Sequence, residues 1–469
     1  MITKTDFLTY LDAPRHLWAF KNDRLDDKTV DIFQQHLMKQ GYEVEELAIK
    51  YLKEYLIPKY GVSKDDVLIQ PTQIDDVYEA RTDIMIKKKG GKWDMYEVKS
   101  STEVDKKNRY DATFQYLVFS KKYDIGNVYI LHLNKEYVRD GDIYLPNLFV
   151  AESVNEDVEK LKEEVLQLRG NAYHISELDD YHESTACIRP KSCPCLSVCH
   201  PKLPDYSIYD INRITGTESK VRQLESMGIL DVMDIPKDFE LSSKQRFQVD
   251  VAQSKEVYMD RDEIKSMFKE LEYPLYFLDY ETFNPAIPLF DGYKPFDHIT
   301  FQYSLHVLEK SGKLEHYEYL HTEKSDPIPS LLHSLKRVIG DSGSIVVWSK
   351  GFEGGRNREM GEKYPEYRDF CEDMNERLFD LMDVFRNQLY DDSKFKGSYS
   401  IKSVLPVLVP ELSYDTLNIS NGSMAMASWY DYIFKGKGDK KVEDDLLKYC
   451  KLDTLAMVKV YDELSDLLY

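Results

Sequence analysis

The stretch Tyr276-Phe277-Leu278-Asp279-Tyr280-Glu281-Thr282 sets two carboxylates into a run that otherwise reads as a buried β-strand. Residues two apart on a strand point to one face, so Asp279 and Glu281 stand side by side. Far along the chain, Tyr449-Cys450-Lys451-Leu452-Asp453 lies in a segment of helical period, where residues four apart share a face. A fold that lays this last helix on that strand lets Asp279 and Glu281 converge on metal ions, with Asp453 closing the site and Tyr449 alongside. Acids gathered in this way suit metal-assisted hydrolysis at phosphorus.

At 469 residues the chain is too long for one ordinary core, and two or three domains are expected. Hydrophobic residues make up 42% and aromatic ones 13%, enough to fill cores. No apolar run reaches the roughly 18 residues of a membrane span. The start, Met1-Ile2-Thr3-Lys4-Thr5-Asp6, lacks a secretory pattern, so the expected location is the cytoplasm without membrane attachment. A net charge of -21 argues against loose, whole-surface binding to nucleic acid. It leaves room for local basic segments such as Lys87-Lys88-Lys89 with Lys92, or Lys106-Lys107 with Arg109, to hold phosphates.

Punctuation along the chain predicts an N-terminal domain over 1–205, a helical connector over 206–270 with a possible helix-hairpin turn at Lys220–Leu230, and a C-terminal domain over 271–469. Strands at Asp83–Ile86 and Trp93–Lys99 flank Lys87–Lys92, whose paired glycines suit a turn. Further strands are expected at Val128–Leu133, Phe301–His306 and Ser344–Trp348, and helices at about 112–123, 155–168, 355–364, 376–390 and 443–467. The expected class is therefore α/β with mixed sheets.

The hairpin carries a second set of acids. Asp83 is on one strand, while Glu97 and Lys99 share a face of the other. Asp83 and Glu97 offer hard oxygen ligands to a divalent cation, Mg²⁺ or Mn²⁺, and Lys99 can orient the attacking water or stabilise charge on the phosphate. Glu46, on the preceding helix, can complete the metal shell, and Gln115, on the following helix, can position water or substrate. This is the pattern of a PD-(D/E)xK nuclease core. The stretches Gly41-x-x-Val44-x-Glu46-Leu47-Ala48, Glu97-Val98-Lys99-Ser100-Ser101 and Asp111-Ala112-Thr113-Phe114-Gln115 resemble the RecB-like nucleases, including those associated with CRISPR adaptation. The resemblance implies a restriction-endonuclease-like, DNA-cutting domain with Glu46, Asp83, Glu97, Lys99 and Gln115 in its site.

Cys187, Cys193, Cys195 and Cys199 place four thiols within thirteen residues. In a long chain without a secretory pattern this reads as metal ligation, by Zn²⁺ or a [4Fe–4S] cluster. The RecB-like relatives pair such cysteines with an N-terminal cysteine before a proline to hold an iron–sulfur cluster. The matching segment here, Tyr10–Trp18, has Ala13 at that position. Cys195 as a local fourth ligand, zinc in place of iron, and an empty site all stay open, with His182 and His200 as spare nitrogen donors.

The C-terminal acids need one more carboxylate, for which Glu353 is the first choice and Asp380 the alternate. The arrangement resembles the DEDDy branch of 3′–5′ exonucleases, of ribonuclease H-like fold, and implies two Mg²⁺ or Mn²⁺ ions with Tyr449 orienting the attacking water. The segment Gly397–Lys402 reads either as a loop on the scissile strand, with Lys402 on phosphate, or as a loop that only stabilises the fold. The whole chain resembles an uncharacterised bacterial family that joins a RecB-like domain to a DEDDy-like one. That implies a two-site nuclease on DNA, with single-stranded or 3′ ends favoured, in repair or defence against foreign DNA. An RNA-processing exonuclease and a non-catalytic nucleic-acid-binding scaffold are the alternatives.

Overall fold

Strand and helix patterns resolve into a mixed α/β architecture in two units, described by a computed structural model over residues 1–26, 32–436 and 439–468. The first unit comprises Met1–Lys202 with Pro285–Asp297, and the second comprises Leu203–Asn284 with the chain from His298 onward.

The first unit holds β1 (Ile2–Thr3), β2 (Val67–Ile69), β3 (Thr72–Asp75), β4 (Tyr78–Arg81), β5 (Ile84–Lys87), β6 (Trp93–Val98), β7 (Ile125–Leu133) and β8 (Phe149–Ser153). Five of them form a sheet in the order β2-β5-β6-β7-β8, and three form a smaller one, β1-β4-β3. β5 and β6 pair antiparallel. Their turn closes through Lys88 N–H to the Lys92 carbonyl at 2.8 Å, and Gly90 and Gly91 supply the positive φ angles it requires, 114° and 92°. β6 and β7 run parallel, so the chain must cross over between them. The crossover is the helix Lys106–Phe119, capped by Asp105, which accepts from Asn108 N–H at 2.6 Å. Ala112, Phe114 and Val118 on this helix are fully buried. The segment Pro285–Asp297 belongs to this unit: Ala286 N–H donates to Gln40 at 3.0 Å, and the Arg139 guanidinium donates to the Pro288 and Leu289 carbonyls.

The second unit holds β9 (Tyr258–Met259), β10 (Leu275–Phe283), β11 (Ile299–Leu308), β12 (Leu314–Leu320), β13 (Ile345–Val347), β14 (Leu378–Asp380) and β15 (Tyr390–Asp391). Its main sheet runs β12-β11-β10-β13-β14. The three strands β10, β11 and β12 pair antiparallel, and β13 and β14 add in parallel beside β10. The helix Lys440–Leu467 packs on β10 and β11. Its buried stripe runs Leu446, Cys450, Asp453, Met457, Val460, Leu464, the 3–4 spacing of an inward helix face. Asp453 therefore occupies a position where an apolar residue would serve packing alone. Trp429 packs at the Phe283 and Phe301 end of β10 and β11, stacked on Phe301 at 4.4 Å with its indole N–H on the His321 carbonyl. Truncating a side chain buried like this costs about 3–5 kcal/mol.

Two sequence expectations change. The span 376–390 is not one helix: the helix Arg368–Glu376 ends, β14 follows, and a short helix Asp383–Arg386 comes after it. A short apolar run such as Leu378-Phe379 has no period that separates a buried strand from a helix, and pairing with β13 decides it. The helices Glu218–Ser226, Ser243–Ser254 and Arg261–Phe268, which fall in 206–270, belong to the second unit. The first of them ends at Gly228, whose φ of 73° lets Ile229 N–H return to the Leu224 carbonyl. Among the described residues no helix is long and apolar enough to cross a membrane.

Candidate functional site

In the first unit, Asp83 directly precedes β5 and Lys99 directly follows β6. Asp83 is fixed by Val98 N–H at 2.7 Å. Glu97 is buried, and one of its oxygens accepts from both Lys4 (2.7 Å) and Lys99 (2.8 Å) while the other has no partner. Lys99 also reaches Asp111 at 2.6 Å, and Asp111 accepts from Gln115 at 2.8 Å, so Lys99 and Gln115 meet through an acid outside the set expected from the sequence. A cleft of about 320 Å³ opens onto Asp83, Glu97 and Lys99. Glu45 lines it; Glu46 is exposed and does not. Burial, then repulsion from Glu97, raises Asp83 to about 7. Burial pushes Glu97 the same way, but Lys99 and Lys4 outweigh it and hold Glu97 well below the carboxylate range. Burial disfavours charge on Lys99 as well, yet Glu97 and Asp111 keep it protonated.

In the second unit, Asp279 and Glu281 sit two apart on the central strand β10. Donor atoms of Asp279, Glu281 and Cys450 lie within 4.8 Å of one another, a set able to hold a metal ion. Asp453, three residues on from Cys450, accepts from Tyr414 O–H at 2.6 Å. Glu353 comes from the helix Lys350–Lys363, which Tyr280 anchors by donating to Asn357, one turn beyond Glu353. Glu353 is buried and one of its oxygens has no partner. Asp380 is engaged elsewhere, by Arg386 at 3.0 Å and the amides of Lys350 and Met382. Lys402 does not stand on a loop: it is in the helix Ile401–Leu408, donates to the Ser420 carbonyl, lies 3.4 Å from the Tyr449 hydroxyl, and sits over the rings of Tyr414 and Tyr449.

These acids are electrostatically unsatisfied. Burial, followed by repulsion from Asp453, Glu281 and Glu353, drives Asp279 far above the carboxylate range. Burial and Asp453 raise Glu281 to about 8 against the pull of Lys402. Burial, with a smaller push from Asp380, raises Glu353 to about 8. Burial raises Asp453 to about 6 despite Tyr414 and Lys402. Burial and the same acids keep the Tyr449 phenol protonated. A pocket of carboxylates that resist ionisation is what a divalent cation relieves, since a bound cation inverts the local charge balance.

The third cluster lies in the first unit. Cys187, Cys193, Cys195 and Cys199 are all buried. Cys195 is 4.0 Å from Cys193 and 3.7 Å from Cys199. His16, on the helix Pro14–Lys21, brings Nε2 to 3.4 Å from the Cys193 sulfur. The donors of His16, Cys187, Cys193 and Cys199 all lie within 4.8 Å of one another and could bind a metal. His200 approaches Cys187 at 3.5 Å, whereas His182 is exposed and paired with Asp180. The sequence pointed at Ala13 for an N-terminal ligand; a donor stands one helical turn later.

No curated protein matches this sequence. Among solved structures, the crystal structure of SSO0001 is similar over 43% of this chain and 87% of its own, at 13% identity and a TM-score of 0.26. Residues 276–400, which carry Asp279, Glu281, Glu353 and Asp380, match a domain of unknown function, DUF2779.

Proposed function

We propose that this chain is a metal-dependent nuclease that hydrolyses phosphodiester bonds of DNA, trimming single-stranded or 3′ ends with its second unit. The observation that carries the reading is the set Asp279, Glu281 and Cys450, whose donors lie within 4.8 Å of one another, with Asp453 and Glu353 near enough to repel Asp279 and with Lys402 pulling on Glu281 and Asp453. The sheet order of the second unit, three antiparallel strands extended by two parallel ones, supports a ribonuclease H-like domain. The hairpin with Asp83, Glu97 and Lys99 about one cleft supports a PD-(D/E)xK domain in the first. Mg²⁺ or Mn²⁺, when bound, would supply a Lewis acid and a nucleophilic water.

The chain's own groups divide the remaining work. Asp279 and Glu281 offer oxygens from one strand face, and Glu353 and Asp453 offer theirs from the facing helices. Tyr449, held protonated, is a hydrogen-bond donor able to orient a water or a phosphate oxygen. Lys402 places a positive charge where negative charge develops at phosphorus. In the first unit Lys99 stays protonated, so it stabilises charge and orients water and does not abstract a proton.

The test is digestion of end-labelled single-stranded DNA and RNA with and without Mn²⁺, using the wild type, Asp279→Asn and Lys99→Met. Metal-dependent shortening of DNA from the 3′ end, lost in Asp279→Asn, is the expected result. Products unchanged by either substitution would refute both site assignments. Activity on RNA alone would make the enzyme an exoribonuclease, and no activity on either polymer would favour a binding scaffold.

A further inference from the structure

We infer that His16, Cys187, Cys193 and Cys199 hold one tetrahedral zinc ion that pins the N-terminal helices to the cysteine-bearing segment, with Cys195 standing by as an unused thiol. This inference does not rest on the nuclease reading, and either can fail alone.

Spacing separates a single ion from a cluster. With Zn–S near 2.3 Å and Zn–N near 2.0–2.1 Å, a tetrahedral site sets sulfurs about 3.8 Å from each other and about 3.5 Å from the nitrogen. His16 Nε2 stands 3.4 Å from the Cys193 sulfur, and all four donors fit within 4.8 Å of one another. In an iron–sulfur cubane each thiolate binds its own iron at a separate corner, so the four sulfurs must spread around the whole cluster. The pocket is too tight for that and matches one ion. The donor chemistry agrees: three thiolates and an imidazole form a closed zinc set, leaving no open position and implying a structural role.

Neighbouring contacts hold His16 in place. Arg15 N–H bonds to the Thr185 carbonyl at 3.1 Å, and the Arg15 guanidinium donates to the carbonyls of Ser184 (2.6 Å) and Cys199 (3.3 Å). The Trp18 indole donates to the Leu178 carbonyl at 2.9 Å. These bonds, made by residues on either side of His16, tie its helical turn to the segments around the cysteines. His16 is buried and its Nε2 faces the cysteine sulfurs, 3.4 Å from Cys193, so the ring nitrogen points at the centre of the donor set. Cys195 lies beside Cys193 and Cys199, but the imidazole takes the fourth position and leaves the buried centre one negative charge fewer than four thiolates would.

The test uses the full-length protein, purified without oxygen, and reads metal content by mass spectrometry, the visible spectrum, and the spectrum after exchange into Co²⁺. About one zinc per colourless chain is expected, with the strong visible bands that tetrahedral, thiolate-bound Co²⁺ gives. His16→Ala and Cys199→Ser should lose the ion and lower the melting temperature. Cys195→Ser should keep both ion and melting temperature. Should the substituted chains misfold, stepwise removal and return of Zn²⁺ on the wild type, followed by melting temperature, reads the same site. A brown protein with four irons per chain, a Cys195→Ser variant that loses the metal, a His16→Ala variant that keeps it, or a reduced wild type that takes up no zinc would each overturn the inference.

Discussion

The two acid clusters are built on opposite electrostatic plans. Around Glu97 the first unit supplies its own cations: Lys4 and Lys99 share one carboxylate oxygen, Lys99 bridges to Asp111, and Glu97 stays ionised. Around Asp279 the second unit supplies acids from three elements and sets Lys402 against them, so the carboxylates are pushed toward their neutral forms. The desolvation penalty of an unpaired buried ion is several kcal/mol, and a fold can meet it with lysines or leave it for a cation to meet. In the first cluster Glu97 is held ionised by lysines while Asp83 is pushed up to about 7; in the second, all four acids are pushed up.

The largest consequence is a split in sign. Asp279→Asn should cut metal-dependent DNA trimming by about 10³-fold, the scale of losing a preorganised electrostatic element, and the same variant in EDTA should melt higher than wild type because one repelling acid is gone. Glu97→Gln should do the reverse for stability. It takes from Lys4 its nearest carboxylate and leaves Lys99 only Asp111, and it costs about 2 kcal/mol, below the figure for fully buried pairs because Lys4 and Lys99 keep about a quarter of their surface. Melting curves of both variants without metal check this. A stabilised Glu97→Gln beside a destabilised Asp279→Asn would erase the contrast.

A smaller effect separates the clusters by pH. Glu281 is raised in the folded state from 4.5 to about 8. A raised carboxylate contributes stability that is fully present below its unfolded value and is lost as pH rises through the folded one. Without metal the second unit should therefore weaken between about pH 5 and 8, and Mn²⁺ should flatten that slope by holding the acids ionised. Glu97, shifted downward, contributes stability that is lost only as pH falls below its unfolded value of 4.5, outside that window. Asp83, raised to about 7, adds a lesser slope of the same sign as Glu281 to the first unit. Calorimetry across this range, in EDTA and in Mn²⁺, reads the difference; equal slopes in both conditions would show that no cation occupies the second site.

What could be read from the chain depended on how local each signal was. The paired glycines at 90 and 91 and the apolar run around Asp279 carry their geometry in a few residues, and the hairpin turn and β10 lie where those patterns fall. Glu46 shows the limit: the helix Ile32–Tyr51 is polar on much of its surface, so a shift of one residue separates Glu46, exposed, from Glu45, in the cleft, and period alone does not choose. Cys450 was passed over because an isolated cysteine reads as a small apolar residue, and only the packing of the last helix brings its sulfur to 3.7 Å from Asp279. Lys4 has no local signal because its partner Glu97 lies 93 residues along the chain, Asp111 because nothing in a helical run marks the acid onto which Lys99 folds back from 12 residues earlier, and His16 because an isolated histidine reads as a packed ring as readily as a ligand. A helix-versus-strand choice at Leu378–Asp380 needed β13 as a partner.

The finest probe of the contrast is a single methyl group. Gly422 opens the helix Gly422–Phe434, and a Cβ there would stand 3.3 Å from the Glu281 Oε2 atom, tight enough that the carboxylate must shift by a few tenths of an ångström. Replacing glycine by alanine at a compatible position favours folding by about 0.5 kcal/mol through the unfolded chain, so Gly422→Ala without metal should melt as wild type does or slightly higher. In the presence of metal the displaced oxygen no longer meets the cation squarely, and the Mn²⁺ concentration needed for half-maximal stabilisation should rise by about fivefold, or about 1 kcal/mol. Gly355→Ala is the control, since nothing lies within 4 Å of its Cβ and it too sits in a helix. It should give the same small gain in folding with no change in Mn²⁺ response. If the two alanines behave alike toward Mn²⁺, Glu281 is not part of the cation's coordination and the second cluster is held together by protonation alone.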